Sequence, residues 1–145
     1  MKKMLVWAFI AASAISCSNS AKHSRENSFE EYVDTIHTAQ NALDYEGTYE
    51  GVVPCADCEG IKTVITIKYD GTYAMKFSYL GKNNTVYEKS GSYKWDKSGQ
   101  VIILEGIENG PDKYFVGENH IRQLDMNGQD ITGMLAEMYI LEKKE

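Results

Sequence analysis

From residue 47 to 142, polar and apolar residues alternate with a period of two, and a glycine-marked turn interrupts them roughly every ten residues. That period puts successive side chains on opposite faces of an extended chain, so the segment reads as sheet. Ile65, Ile67 and Tyr69 share one face, with Thr66 and Lys68 opposite; Tyr73, Met75, Phe77 and Tyr79 alternate with Ala74, Lys76 and Ser78. The pattern predicts strands over 47–53, 61–69, 72–80, 85–94, 101–105, 113–116, 121–126 and 137–142. Between them lie Asp70-Gly71, Ser98-Gly99, Gly106 to Pro111, Gly117-Glu118-Asn119 and Asn127-Gly128, all turn formers. Each strand has one wet and one dry face, and no helix intervenes. The expected fold is all-β, an antiparallel up-and-down barrel of about eight strands over 45–143, preceded by a short helix. A two-sheet sandwich shares the same period and is the alternative.

The first residues read as an address rather than as fold. Lys2 and Lys3 precede an uncharged apolar run, 4–12, which is too short for the roughly 20 residues a membrane-spanning helix needs. Ala14-Ile15-Ser16-Cys17 then resembles a bacterial lipobox, with Ala14 where such boxes most often carry Leu. Residues 1–16 are therefore expected to be a signal peptide and Cys17 the lipidated residue. The cysteine count agrees: of three cysteines, lipidation takes Cys17 and leaves Cys55 and Cys58 as a pair. Several acyl chains on one residue would hold the protein stably on a membrane, where one would not. Ser18 follows, and by the enterobacterial sorting rule a residue other than Asp there directs the lipoprotein to the outer membrane, where it is expected to face the periplasm.

Residues 17–27 are polar and aperiodic, the composition of a flexible tether, and His23 sits among them as a solvated residue. Within the following 28–44 segment, Ser28 and Glu31 have capping-box spacing, and Phe29, Tyr32, Val33, Ile36 and Leu43 form a short apolar stripe. A helix over 29–40 is expected, packed on the sheet domain, with His37 on its polar side. The formal charge of −6, with lysines scattered among glutamates, repels phosphate backbones and argues against a nucleic-acid partner.

Chemistry concentrates in Cys55-Ala56-Asp57-Cys58, between the first two strands. Export to an oxidising compartment favours a structural disulfide, which closes so small a loop that it rigidifies a turn rather than stapling a fold. Two thiolates also suit Cu(I), with His120, Met126, Met134 or Met138 as further soft ligands if the fold brings them near. Zinc wants four ligands, and there is no second cysteine pair. A labile, redox-sensing bond is the third reading. Disulfide exchange catalysis is disfavoured, because Asp57 and Glu59 oppose thiolate formation and no βαβ context surrounds the pair.

The whole stretch from Asn41 to Ile61, with Pro54-Cys55-Ala56-Asp57-Cys58-Glu59-Gly60-Ile61 at its centre, resembles the signature of the NlpE family. Asp70-Gly71-Thr72-Tyr73, Gly91-Ser92-Tyr93 and Tyr139-Ile140-Leu141 extend the likeness over about 41–142. The resemblance implies a copper-resistance and surface-sensing lipoprotein of the outer membrane whose N-terminal domain is a lipocalin-like barrel. It also implies a tie to an envelope-stress signalling protein, the Cpx kinase, and a copper site at Cys55 and Cys58. The best-known members add a C-terminal OB-like domain with its own cysteine pair; the sequence up to Glu145 carries no cysteine past Cys58, which puts functions resting on that domain in doubt.

Two other functions remain in view. Tyr69, Tyr73, Met75, Phe77, Tyr79, Tyr93 and Trp95 could line a barrel that carries a small hydrophobic ligand, or could simply fill its core. An enzyme is not expected: no nucleophile elbow, HExxH or phosphate-binding glycine loop occurs, and the three histidines lie in the tether, the helix and a turn.

Overall fold

A computed structural model describes residues 37–83 and 85–145. The expected signal peptide, the lipidation site Cys17, the tether and the helix over 29–36 lie outside the described residues. Eight antiparallel strands close into a barrel in strict chain order: β1 (Gly47–Val53), β2 (Gly60–Ile67), β3 (Thr72–Leu80), β4 (Tyr87–Trp95), β5 (Val101–Leu104), β6 (Lys113–Gly117), β7 (His120–Gln123) and β8 (Ile140–Lys143). The up-and-down barrel is the expected fold; the sandwich is not.

Period-two alternation carries through to burial. Tyr49, Ile65, Ile67, Tyr73, Tyr93, Ile102, Leu104, Val116, Ile121 and Leu141 point inward and fill the half of the barrel next to the β2–β3, β4–β5 and β6–β7 turns. Closure depends on Gly51: a Cβ there would lie 2.8 Å from the Ile140 carbonyl and 3.2 Å from the Leu141 side chain, so only a glycine lets β8 approach β1 this closely. Glu50 pairs with Glu142 and Tyr49 with Lys143 across that seam.

The filled end is capped by α1 (Ala39–Ala42) and the residues after it. Ala39 and Tyr45 are buried, Gln40 N–H donates to the Gly99 carbonyl at 3.1 Å, and the Tyr45 ring meets Tyr69 and Trp95 edge-on. The Tyr49 hydroxyl donates to the Tyr45 carbonyl at 2.7 Å. This four-residue turn plugs one end of the barrel; it starts at Ala39 after an extended Thr38, so His37 and Thr38 are not helical and the helix expected over 29–40 does not run through to 40. His37 is exposed, as expected.

β2 stops at Ile67 instead of 69 and β4 starts at Tyr87 instead of 85, and two boundaries differ from the periodic reading by three residues. Instead of running through 121–126, β7 ends at Gln123, because the Asp125 carboxylate accepts from the N–H groups of Asn127 and Gln129 and folds the chain into a turn. Glu137 to Tyr139 belongs to η1 (Ala136–Tyr139), a 3₁₀ turn, and only then does β8 begin. The alternating letters are there in both places; local side-chain-to-backbone bonding and a tight turn outcompete the sheet.

Candidate functional site

The end opposite the plug is the open one, where the β1–β2, β3–β4, β5–β6 and β7–β8 connections gather. The cysteine pair lies on its rim. Val53 and Ile61 pair as the last rung of the β1–β2 hairpin, and the chain between them is the Pro54–Glu59 loop. Cys55 and Cys58 are half-buried and joined by a disulfide, with Cα atoms 5.3 Å apart. Of the readings left open by the sequence, the bonded form is the one this structure holds.

The loop is tied to its neighbour, the β3–β4 turn, on both flanks. Lys82 Nζ lies 2.5 Å from Asp57 Oδ2, and hydrogen bonding to that ammonium, with its charge, holds the Asp57 carboxyl below the usual carboxylate range. Glu59 N–H donates to the Leu80 carbonyl, and the Glu59 side chain packs on Gly81, whose φ of +76° and missing Cβ make the room. Asp57 Oδ1 is 3.6 Å from Cys55 Sγ, and the donor atoms of Cys55, Asp57 and Cys58 lie within 4.8 Å of one another.

As a copper centre, the donor set divides. The two sulfurs are bonded to each other here; freed as thiolates by reduction they suit a soft monovalent ion, whereas the Asp57 carboxylate is a hard ligand. His120, expected as an exposed turn residue and a further ligand, does not join them. It is the first residue of β7 at the plugged end, half-buried, with its ring lying where Gly117 has no side chain and its Nδ1 3.0 Å from the Glu118 carbonyl oxygen. Met126 sits on the β7–β8 connection with its side chain in solvent, and its backbone carbonyl accepts from Lys113. Met134 and Met138 are exposed on the same connection.

Inside the open end the barrel is hollow. A cavity of about 500 Å³ is lined by the apolar Val53, Ile61, Met75, Phe77, Tyr79 and Tyr139 and by the buried polar residues Thr63, Tyr114 and Gln123. Pro54, the residue before Cys55, is part of its rim. The cavity exists because β4 and β5 pair only over Tyr93–Trp95. Above that rung, the connection from Glu105 to Asp112 takes the place of a strand, and its Ile107, Glu108, Asn109, Gly110 and Pro111 face the space. Met75, Phe77 and Tyr79 were legible as lining; Tyr73 and Tyr93 are core, and Tyr69 and Trp95 belong to the plugged end. Thr63, Tyr114, Gln123 and Lys89 were not singled out, since nothing in a strand's alternation tells which inward residues meet a void.

The profile described as the NlpE N-terminal domain matches residues 49–134, more than half of the chain. The chain belongs to the NlpE family. Lipoprotein NlpE of Escherichia coli (strain K12) is 29% identical over 147 residues, covering 98% of this chain and 57% of that protein, so the chain spans little more than half the length of this curated relative. A solved candidate lipoprotein of Shewanella oneidensis superposes with a TM-score of 0.68 at 50% identity, covering 74% of this chain and 95% of that one. The crystal structure of the Cpx pathway activator NlpE from Escherichia coli superposes with a TM-score of 0.50 at 28% identity, over 61% of this chain and 46% of that one. In NlpE-family terms, the matched span takes in the barrel from β1 to the β7–β8 connection, with the cysteine turn inside it.

Proposed function

We propose that this chain is a non-enzymatic lipoprotein of the bacterial envelope, held to the outer membrane by lipid on Cys17, that serves copper homeostasis and envelope-stress sensing through its Cys55–Cys58 turn. One observation carries the reading: the pair stands on the open rim, bonded yet only half-buried, and is latched by Asp57 to Lys82 on the neighbouring turn. A change of state at the sulfurs therefore reaches a second loop. Opening the bond takes two electrons and two protons from a dithiol donor and yields two thiols; loss of their protons gives the ligands that Cu(I) prefers. A stress-signalling partner would meet the β1–β2 and β3–β4 turns together.

Competition titration of the reduced chain with a chromogenic Cu(I) chelator tests the metal step. The unaltered chain should withdraw one Cu(I), and the Cys55→Ser/Cys58→Ser chain should withdraw at least tenfold less at the same chelator concentration, as expected when both soft donors are lost. Equal competition by the two chains would remove the turn from any copper role. For the signalling step, overproduction of each chain is read with an envelope-stress reporter, and an undiminished response from the Cys55→Ser/Cys58→Ser chain would separate signalling from the pair.

A further inference from the structure

The cavity has a chemical polarity that the fold does not need. Its walls are apolar and aromatic: Ile61, Met75, Phe77 and Tyr79, with Ile107 above them. Phe77 stacks on Tyr87 with ring centroids 5.2 Å apart, and Tyr79 meets both edge-on, which fixes these rings on the β3–β4 side. A second set of lining residues is polar and buried: Thr63, level with Phe77 across the β2–β3 pair, Tyr114 and Gln123 are 5%, 1% and 9% exposed, and all three line the space. Tyr114 and Gln123 face each other as a cross-strand pair of β6 and β7.

Polar side chains buried to this degree ordinarily have partners, because an unmade hydrogen bond costs the full desolvation of the group. The Thr63 hydroxyl has a long contact, 3.4 Å, to the Ile61 carbonyl. Among the described residues, neither the Tyr114 hydroxyl nor the Gln123 amide is engaged by another protein group, and neither is sealed from the cavity. Burial pushes the Tyr114 phenol up, so it stays a neutral donor at any physiological pH.

We propose that this cavity is a binding site for a small neutral amphiphile, which enters with its tail between Phe77, Tyr79 and Ile107 and its uncharged hydrogen-bonding head on Tyr114, Gln123 and Thr63. The volume lies within the range of about 300–1,000 Å³ typical of small-molecule sites. The head is neutral because the buried polar groups that would receive it, Tyr114, Gln123 and Thr63, are neutral: a carboxylate or ammonium seated on them loses its water without a charged partner among them. An amide, alcohol or carbonyl finds a phenol donor, an amide that both donates and accepts, and a hydroxyl. Lys89, the cross-strand partner of Met75, and Glu108 also line the space and carry opposite signs, so together they favour neither charge. The site is separate from any copper at the cysteine turn, although Pro54 borders it.

The test uses the full chain and three probes with one tail: decanamide, decanoate and decyltrimethylammonium. Each is titrated while the methyl resonances of Met75, Ile61 and Ile107 are followed, a readout confined to the cavity. Decanamide should saturate these shifts at a concentration about tenfold or more below either charged probe, given the cost of stripping water from an unpaired charge. Tyr114→Phe and Gln123→Leu, which keep shape, should each weaken decanamide several-fold to about tenfold and leave the charged probes unchanged. Thermal unfolding of each variant checks that the barrel stands. Unmoved cavity methyls, a preference for decanoate, or indifference to both substitutions would overturn the proposal. The Cys55→Ser/Cys58→Ser chain should bind decanamide as the unaltered chain does, so failure here and failure at the copper turn are told apart.

Discussion

Gly51 shows how one residue can decide whether a sheet closes. Its φ is unexceptional, so the demand is for space rather than for a left-handed turn: the missing Cβ would sit against the Ile140 carbonyl and the Leu141 backbone, neither of which can swing aside. Gly51→Ala should therefore cost about 1–3 kcal/mol, the range for overpacking a filled interior, measured as a lower midpoint in urea with an unchanged slope. Asp96 is the second such residue. Its carboxylate accepts from the Ser98 hydroxyl and from the N–H groups of Gln100 and Val101, and so builds the β4–β5 turn. Asp96→Ala should cost about 1–2 kcal/mol, as loss of a capping side chain does elsewhere, in the same denaturation experiment. Ser98-Gly99 announced this turn in the sequence. Gly51 announced nothing, because a glycine inside an alternating strand looks alike whether it faces solvent or a seam.

Among the elements, strands were more legible than what joins them. β1 and β3 have the expected ends because each is bounded by residues that cannot continue it: Pro54 after Val53, and the glycine turns at Gly71 and Gly81 around β3. The β7–β8 connection was misread because Leu124, Met126 and Met138 look like sheet, yet the Asp125 turn and η1 hold the chain otherwise. His120 misled for a related reason: a histidine beside a turn looks free, whereas this one packs over Gly117. The cysteine loop was legible in position and not in state, since spacing alone allows a bond, a metal or two thiols. Its energetics follow from its size. A disulfide closing so short a loop should contribute only about 2 kcal/mol by the chain-entropy argument. Reducing the bond should lower the unfolding free energy from urea titration by no more than that and raise amide exchange in the Pro54–Glu59 loop, with β1–β2 amides still protected. Loss of protection along the hairpin would mean that the bond holds the strands and is no mere clasp on their turn.

For the barrel as a whole, the two ends of the pH scale should act by different physics. Asp44, Glu50, Asp57, Asp70 and Glu105 are held below the usual carboxylate range by hydrogen bonds first, to Tyr69 and Lys143, Lys62, Lys82, Thr72, and Lys94 respectively. A depressed folded value stabilises fully above the unfolded one, about 4, and the stabilisation is lost as the pH falls through the folded value. On the alkaline side the sign reverses. Burial first, and then the charge of Asp44, push Tyr49 up to about 12, and burial also raises Tyr93 and Tyr114. Their stabilisation is complete below the ordinary tyrosine value, about 10, and is lost as the pH rises through the folded values. Thermal midpoints should thus be flat from about pH 5 to 9 and fall on both sides. Several of the acid-side partners are exposed ammonium groups, so about 0.5 M salt should shrink the acid fall by screening. Salt cannot screen the cost of burying a phenolate, so the alkaline fall should persist. Tyr49→Phe should lower the plateau, because the Tyr45 carbonyl loses its donor, while softening the alkaline fall. An alkaline limb that vanished in salt and ignored Tyr49→Phe would assign it to the surface lysines, and would mean that the packed end of the barrel is not what alkali attacks.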